Sequence, residues 1–95
     1  MGQVIWAPSA LRDVENIAEY IARDSPDQAA LFVTRVLEVV EKLADFPLCG
    51  RVVPEMADEQ WREIISGSFR IMYRLEKGLV WVSAVVHGAR DWKKP

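Results

Sequence analysis

FRIMYRLEKGLVWVSAVVH, residues 69–87, is the stretch that decides the fold. Two runs of apolar and β-branched residues flank the break Glu76-Lys77-Gly78, a pattern typical of a β-hairpin. A two-residue turn at Lys77-Gly78 collects apolar side chains on one face and charged ones on the other, because side chains alternate along a strand. A three-residue loop would mix the two sets by setting Arg74 against Val80. We therefore predict the tight turn.

The predicted register assigns every hairpin residue to one of two faces. The apolar face, expected to be core, holds Phe69, Ile71, Tyr73, Leu75, Val80, Val82, Ala84 and Val86. The opposite face holds Arg70, Met72, Arg74, Trp81, Ser83, Val85 and His87. A slip of one residue would exchange the two sets. The second set is a candidate site for a substrate or a partner.

Two amphipathic helices are predicted before the hairpin. Val4-Ile5-Trp6 predicts a first strand, and Ser9 is the expected cap of the first helix. Its apolar stripe is Leu11, Val14, Ile17, Ala18, Ile21 and Ala22. A capping box with proline at the first helical position, Ser25-Pro26-Asp27-Gln28, starts the second helix. Its stripe is Ala29, Phe32, Val33, Val36, Leu37, Val40, Leu43 and Ala44.

Short strands are predicted between the helices and the hairpin, at Arg51-Val52-Val53 and at residues 61–65. The order is therefore β-α-α-β-β-β-β, which indicates one α+β domain over residues 1–95. An N-terminal strand and an antiparallel helical hairpin are expected, with the helices packed on one face of a mostly antiparallel sheet. No helix remains to cover the other face.

Composition narrows the function classes. The 95 residues are 51% hydrophobic with a formal charge of −2, which excludes a strong basic field for sequence-independent nucleic-acid binding. The single Cys49 and the lack of a secretory apolar segment favour a reducing, cytoplasmic location. No segment is long enough to span a membrane. One histidine with scattered carboxylates lacks the spacing of a metal site, so no metal and no cofactor are expected.

The second half of the chain contains the residue types needed for RNA cleavage by a 2′-hydroxyl. Glu55 would take the hydroxyl proton, Arg70 would stabilise charge on phosphorus, and His87 would protonate the leaving oxygen. The alternative is structural. A histidine at a strand end commonly serves local contacts, and an arginine on an open face commonly keeps that face solvated.

Tryptophans near arginines indicate a binding surface. Trp61, Trp81 and Trp92 are suited either to anchor a protein interface or to stack on bases. For Trp61, filling the edge of the core is an equal alternative. Arg62 and Arg51 are assigned to the same surface, with a solvated strand as the alternative for Arg62 because Glu63 follows it.

Several short motifs, in order along nearly the whole chain, resemble the RelE/ParE toxin superfamily. They are Ala10-Leu11, Asp13, Ile17, Tyr20-Ile21-Ala22, Pro47, Gly50-Arg51, Pro54-Glu55, Arg62-Glu63-Ile64, Phe69-Arg70-Ile71-Met72-Tyr73-Arg74 and Val86-His87-Gly88-Ala89-Arg90-Asp91. The resemblance implies the toxin of a type II toxin-antitoxin pair, with a helical hairpin on an antiparallel sheet. It also implies a cognate antitoxin, ParD-like with a ribbon-helix-helix part, and an oligomer formed with it.

The superfamily divides by target. ParE-like members are associated with inhibition of DNA gyrase, whereas RelE-like and YoeB-like members cleave ribosome-bound mRNA. The acidic chain, the missing lysine cluster and a tail without tyrosine favour the ParE-like branch. The resemblance implies a target- or antitoxin-binding set of Arg62, Arg70, Arg74, Trp81, His87, Arg90 and Trp92. The alternative is a nuclease using Glu55, Arg70 and His87, and a degenerate toxin that only binds its antitoxin is a third hypothesis.

Overall fold

A computed structural model describes residues 3–88 as two helices packed on one five-stranded sheet. The elements are β1 (Gln3–Trp6), α1 (Pro8–Ala22), α2 (Pro26–Leu43), β2 (Arg51–Val52), β3 (Trp61–Ser66), β4 (Phe69–Glu76) and β5 (Leu79–His87). The strand order is β1-β5-β4-β3-β2, with β1 parallel to β5 and the other neighbours antiparallel. The predicted α+β class and element order are confirmed. Within residues 3–88, neither helix is both long and apolar enough to cross a membrane.

The two helix starts differ in how they are capped. Ser25 caps α2 as predicted, because its hydroxyl accepts a hydrogen bond from the Gln28 N–H at 3.2 Å. The prediction that Ser9 caps α1 is wrong. Pro8 already begins that helix, and the Ser9 hydroxyl instead donates to the Ser83 carbonyl at 3.0 Å. Ser9 therefore joins the helix to the sheet.

The main core lies between the helical hairpin and the sheet. Its buried members are Ala10, Phe32, Val36, Val40, Ile71, Val82 and Val85. Two predicted core residues are wrong, since Leu11 is 48% exposed and Leu37 is 53% exposed. Each stands next in sequence to a fully buried residue, Ala10 or Val36, and one step along a helix turns about 100° away from it. The stripes are thus narrower than the apolar pattern suggested.

The β4–β5 connection is the predicted two-residue turn. Lys77 and Gly78 have φ angles of 52° and 77°, and Glu76 pairs with Leu79. Positive φ at both central residues is the geometry whose twist matches that of the flanking strands. The predicted register holds from this turn as far as the pair of Tyr73 with Val82.

A β-bulge interrupts the register beyond that pair. Tyr73 pairs with Val82 but Met72 pairs with Ala84, so Ser83 is an additional residue in β5. One additional residue moves every later side chain to the opposite face. The predicted faces of Ala84, Val85, Val86 and His87 are therefore wrong: Val85 and His87 lie on the helix side, and Ala84 and Val86 lie on the other side.

Helix α1 covers the part of β5 that β1 does not reach. β1 pairs with β5 only from Leu79 to Val82. Beyond that point the Asp13 carboxylate accepts a hydrogen bond from the Val85 N–H at 3.0 Å. Side chains of α1 thus replace a neighbouring strand along this edge, which protects it from pairing with other chains.

Tyr73 attaches the end of the helical hairpin to the sheet. Its buried hydroxyl donates to the Pro47 carbonyl at 2.8 Å and accepts from the Gly50 N–H at 2.9 Å. A Cβ at Gly50 would lie 2.5 Å from that hydroxyl and 2.6 Å from the Glu63 carbonyl oxygen. Only glycine allows this close approach of loop and sheet.

Replacing Tyr73 with phenylalanine tests this attachment. Tyr73→Phe leaves two backbone groups without their partner, and we expect the free energy of unfolding to fall by about 1–3 kcal/mol. Urea unfolding followed by circular dichroism measures the change. Tyr20→Phe is the matched control, because Tyr20 is 69% exposed and should change stability by less than about 0.5 kcal/mol. Equal effects of the two substitutions would contradict the assignment.

The same hydroxyl predicts a dependence of stability on alkaline pH. Burial raises the pKa of Tyr73 above its ordinary value of 10.0. The unfolded chain therefore loses this proton first, and the stabilisation present below about pH 10 is lost as pH rises through the folded pKa. Unfolding free energies from about pH 9 to pH 11 should fall more steeply for the native chain than for Tyr73→Phe. Parallel curves would disprove this role.

Candidate functional site

The sheet face away from the helices, here called the second face, is partly covered by the chain after β2. Val53 is fully buried there against Trp61, Met72 and Ala84, with Met56 packed on the group. No helix among residues 3–88 covers this face, as predicted, but the expectation that Arg70 is open to solvent there is wrong, since it is 5% exposed. Val53 and Met56, two apolar residues in the connection that follows β2, are enough to form a second small core on this face.

Arg70 lies on the second face within a network of ion pairs. Its Nη1 and Nη2 atoms each donate to a carboxylate oxygen of Glu55 at 2.7 Å, and its Nε donates to Glu63 at 2.7 Å. The Arg70 side chain is 5% exposed and that of Glu63 is fully buried. Glu63 also accepts from the Nε of Arg51. Two arginines and two glutamates thus alternate and neutralise one another.

This network holds Arg70 as a permanent cation. The pKa of Arg70 lies above its usual value mainly because its guanidinium donates hydrogen bonds to Glu55. Burial acts in the opposite direction and lowers the pKa. A buried charge of this kind is stable only when paired. The forked contact that a phosphate would need on the guanidinium is occupied by Glu55.

His87 lies on the opposite side of the sheet from Arg70. Its ring meets that of Phe69 edge-on, with centroids 5.7 Å apart and planes at 78°. Beside it a cleft of about 300 Å³ is lined by Asp13 and Asn16 of α1. The structure brings Glu55 and Arg70 together but does not bring His87 to them. The prediction that His87 shares a face with Arg70 is wrong because of the bulge at Ser83.

Arg62 is also on the helix side of the sheet. It pairs with Tyr73, donates from Nη1 to the Gly50 carbonyl at 3.0 Å, and donates from Nε to the Glu59 carbonyl at 3.1 Å. Its assignment to the surface of Arg70 and Arg74 is therefore wrong. Arg62 instead lines a cleft of about 420 Å³ that includes the exposed Leu48.

Arg74 and Trp81 do share a surface, whereas Trp61 beside them is 8% exposed and belongs to the small core around Val53, as its core-filling alternative predicted. Trp61, Arg74 and Trp81 occupy matching positions on three adjacent strands. The Arg74 guanidinium carbon lies 5.8 Å from the Trp61 ring centroid and 5.7 Å from that of Trp81. Cation–π attraction holds the guanidinium between the two rings. We call these three residues the Trp-Arg-Trp cluster.

Sequence reasoning placed Arg51 on the surface of Arg70 but missed Glu63, the carboxylate that joins the two arginines. A signal was present, because a tight turn at Gly67-Ser68 places Glu63 opposite Met72 and thus on the face of Arg70. Arg90 and Trp92 of the predicted binding set lie outside the described residues. Among residues 3–88, no three histidine, cysteine or acidic side chains are grouped so that they could hold a metal ion.

Removing Arg70 tests whether the network is structural. Arg70→Met leaves the buried Glu63 with only the exposed Arg51 as its cation, and we expect a loss of about 3–5 kcal/mol in the free energy of unfolding. Pairing it with Glu63→Leu should recover part of the loss, since both buried charges are then absent. Urea unfolding gives both values, with the exposed Arg12→Met as control. A loss no larger than that of Arg12→Met would show that the network is unimportant for stability.

Comparison with protein families finds one match over most of the chain. The model of the family described as "ParE toxin of type II toxin-antitoxin system, parDE" matches residues 4–92. Toxin Y4kP of Sinorhizobium fredii is 33% identical over 92 residues, which cover 95% of this chain and 92% of the relative. Toxin RelE2 of Caulobacter vibrioides is 31% identical over 90 residues, which cover 95% and 99%.

Solved structures share the same fold. One, described as a chromosomal ParDE toxin-antitoxin system from P. aeruginosa, superposes with a TM-score of 0.75 at 19% identity, over 92% of this chain and 96% of that one. A second, the toxin-antitoxin complex RelBE2 from Mycobacterium tuberculosis, gives a TM-score of 0.62 at 21% identity, over 90% and 96%. At these identities the likeness concerns the fold.

Proposed function

Because the chain belongs to the ParE toxin family of type II toxin-antitoxin systems, we propose that it inhibits DNA gyrase by binding and that a cognate antitoxin neutralises it. The toxin class follows from the family. The target and the binding mode are the proposal, and they rest on the resemblance to the ParE-like branch together with the geometry of the ionisable residues.

The arrangement around Arg70 is the observation that carries the proposal. A nuclease of the kind considered needs a base, a cation and an acid around one phosphate. Here Glu55 occupies the guanidinium fork of Arg70, and His87 lies on the other side of the sheet. The pairing of Glu55 with Arg70, and the distance of His87 from both, favour action by binding over action by cleavage.

Two surfaces are candidates for the binding. The Trp-Arg-Trp cluster offers aromatic side chains and a half-exposed cation, the residue types that dominate protein interfaces. The end of β5 offers His87, and the predicted contacts Arg90 and Trp92 follow it in sequence. We propose that the tail from His87 onward faces gyrase. The antitoxin is proposed to carry a ribbon-helix-helix part and to form an oligomer with the toxin.

An mRNA endoribonuclease is the second candidate function. Glu55 and Arg70 do lie together, at 2.7 Å, and two of the similar proteins have names in the RelE series. For this function the ion pair would have to open so that Arg70 meets a phosphate. His87 would also have to reach the second face.

Parallel assays of the purified toxin distinguish the two functions. DNA supercoiling by purified gyrase is measured beside cleavage of mRNA on programmed ribosomes. We expect supercoiling to be inhibited in proportion to toxin concentration, and the mRNA to remain intact. Arg12→Met, on the exposed side of α1, serves as the control that inhibition does not depend on overall charge.

The opposite pattern would reject the proposal. The nuclease is the correct function if three results are found together: the native toxin cuts mRNA, His87→Ala abolishes the cuts, and gyrase is unaffected. If neither reaction responds while the antitoxin still binds tightly, the chain is a toxin that has lost its activity. Circular dichroism of each variant shows that a lost activity is not a lost fold.

A further inference from the structure

Arg70 and Arg74 occupy the same face of β4 but differ in their surroundings. Arg70 is 5% exposed and its guanidinium donates to two carboxylates. The Arg74 side chain is 37% exposed, and a single carboxylate oxygen, from Glu76, contacts its Nη2 at 2.8 Å. The first arginine is therefore saturated, whereas the second retains N–H groups for another acceptor.

Two donors in the Trp-Arg-Trp cluster have no acceptor among residues 3–88. Arg74 Nε and Trp81 Nε1 are both buried, and neither makes a hydrogen bond within the described part of the chain. A buried donor without a partner destabilises the fold, because it has lost the hydrogen bond that it makes to water in the unfolded chain. A small rearrangement that admits an oxygen anion would remove this destabilisation for both groups.

The cluster is also prearranged for binding. Indole rings on both sides hold the Arg74 guanidinium in place, so little side-chain entropy remains to be lost when a ligand binds. Around it, Ile5 and Leu79 of the neighbouring strands are half-buried apolar residues. A fixed cation with an apolar border fits a protein side chain better than a polyphosphate, which Glu76 and the net charge of −2 would repel.

We propose that the Trp-Arg-Trp cluster binds a carboxylate of the cognate antitoxin, in place of Glu76. This rests on the proposed function only in that it takes the antitoxin as the partner. Charge complementarity favours that occupant. Arg74 already holds one carboxylate through a single nitrogen, and an aspartate or glutamate on another chain can engage more of its N–H groups.

Affinity measurements on substituted toxins test the proposal. Competition calorimetry with the purified antitoxin should show Arg74→Met weakening binding about tenfold to thirtyfold. Arg74→Lys should recover only part of this, because an ammonium cannot form the forked contact. Glu76→Gln should instead strengthen binding about twofold to fivefold, since it removes the internal competitor. Arg12→Met is the charge-matched control, expected to leave the affinity unchanged.

A double-mutant cycle identifies the carboxylate. Each acidic residue of the antitoxin is replaced by alanine and measured against native toxin and against Arg74→Met. One of them should lose most of its effect in the Arg74→Met background. Thermal unfolding of each toxin variant confirms that the fold is retained.

Three results would overturn the proposal. The first is that Glu76→Gln weakens antitoxin binding as much as Arg74→Met does, which would mean that the ion pair of Arg74 with Glu76 only maintains the fold. The second is that no antitoxin carboxylate couples to Arg74 by more than about twofold in the double-mutant cycle. The third is that Arg74→Met loses gyrase inhibition while keeping full antitoxin affinity, which would assign the cluster to the target. Because antitoxin binding is measured directly, a negative gyrase assay does not affect the outcome.

Discussion

Arg70 donates hydrogen bonds to Glu55 and Glu63, and these ion pairs hold the chain after β2 against the second face of the sheet. The small core around Val53 lies under the same covering. A guanidinium surrounded in this way stabilises the fold through pairing, because either partner alone would be an uncompensated charge in a buried site. Arg70, the predicted phosphate-binding residue, is therefore held in structural ion pairs.

The bulge at Ser83 has the second large influence on what the protein can do. It places Val85 in the main core and His87 against Phe69, and it leaves the Val85 N–H facing Asp13 of α1. An unbulged strand would put His87 on the same face of the sheet as Arg70. The one additional residue, Ser83, thus decides whether His87 lies on the same side of the sheet as Arg70, as a catalytic site would need, or on the opposite side.

Among residues 3–88, two of the accessible surfaces are that of Arg74 with Trp81 and the end of β5. They lie on opposite sides of the sheet, since Arg74 faces away from the helices and His87 faces toward them. This separation allows one surface to face an antitoxin and the other a target. A toxin that acts by binding can use both, because neither surface requires a rearranged core.

Periodic patterns determined the α+β class, the start of α2 at Ser25 and the turn at Lys77-Gly78, because these depend on local backbone preferences and on burial. The sequence also indicated that Arg74 and Trp81 share a surface. Only the tertiary structure decided the side of His87 and the pairing of Arg70 with Glu55 and Glu63. A bulge shifts register through contacts between distant strands, and an ion pair forms where the chain folds back over a face. Neither leaves a periodic trace along the chain.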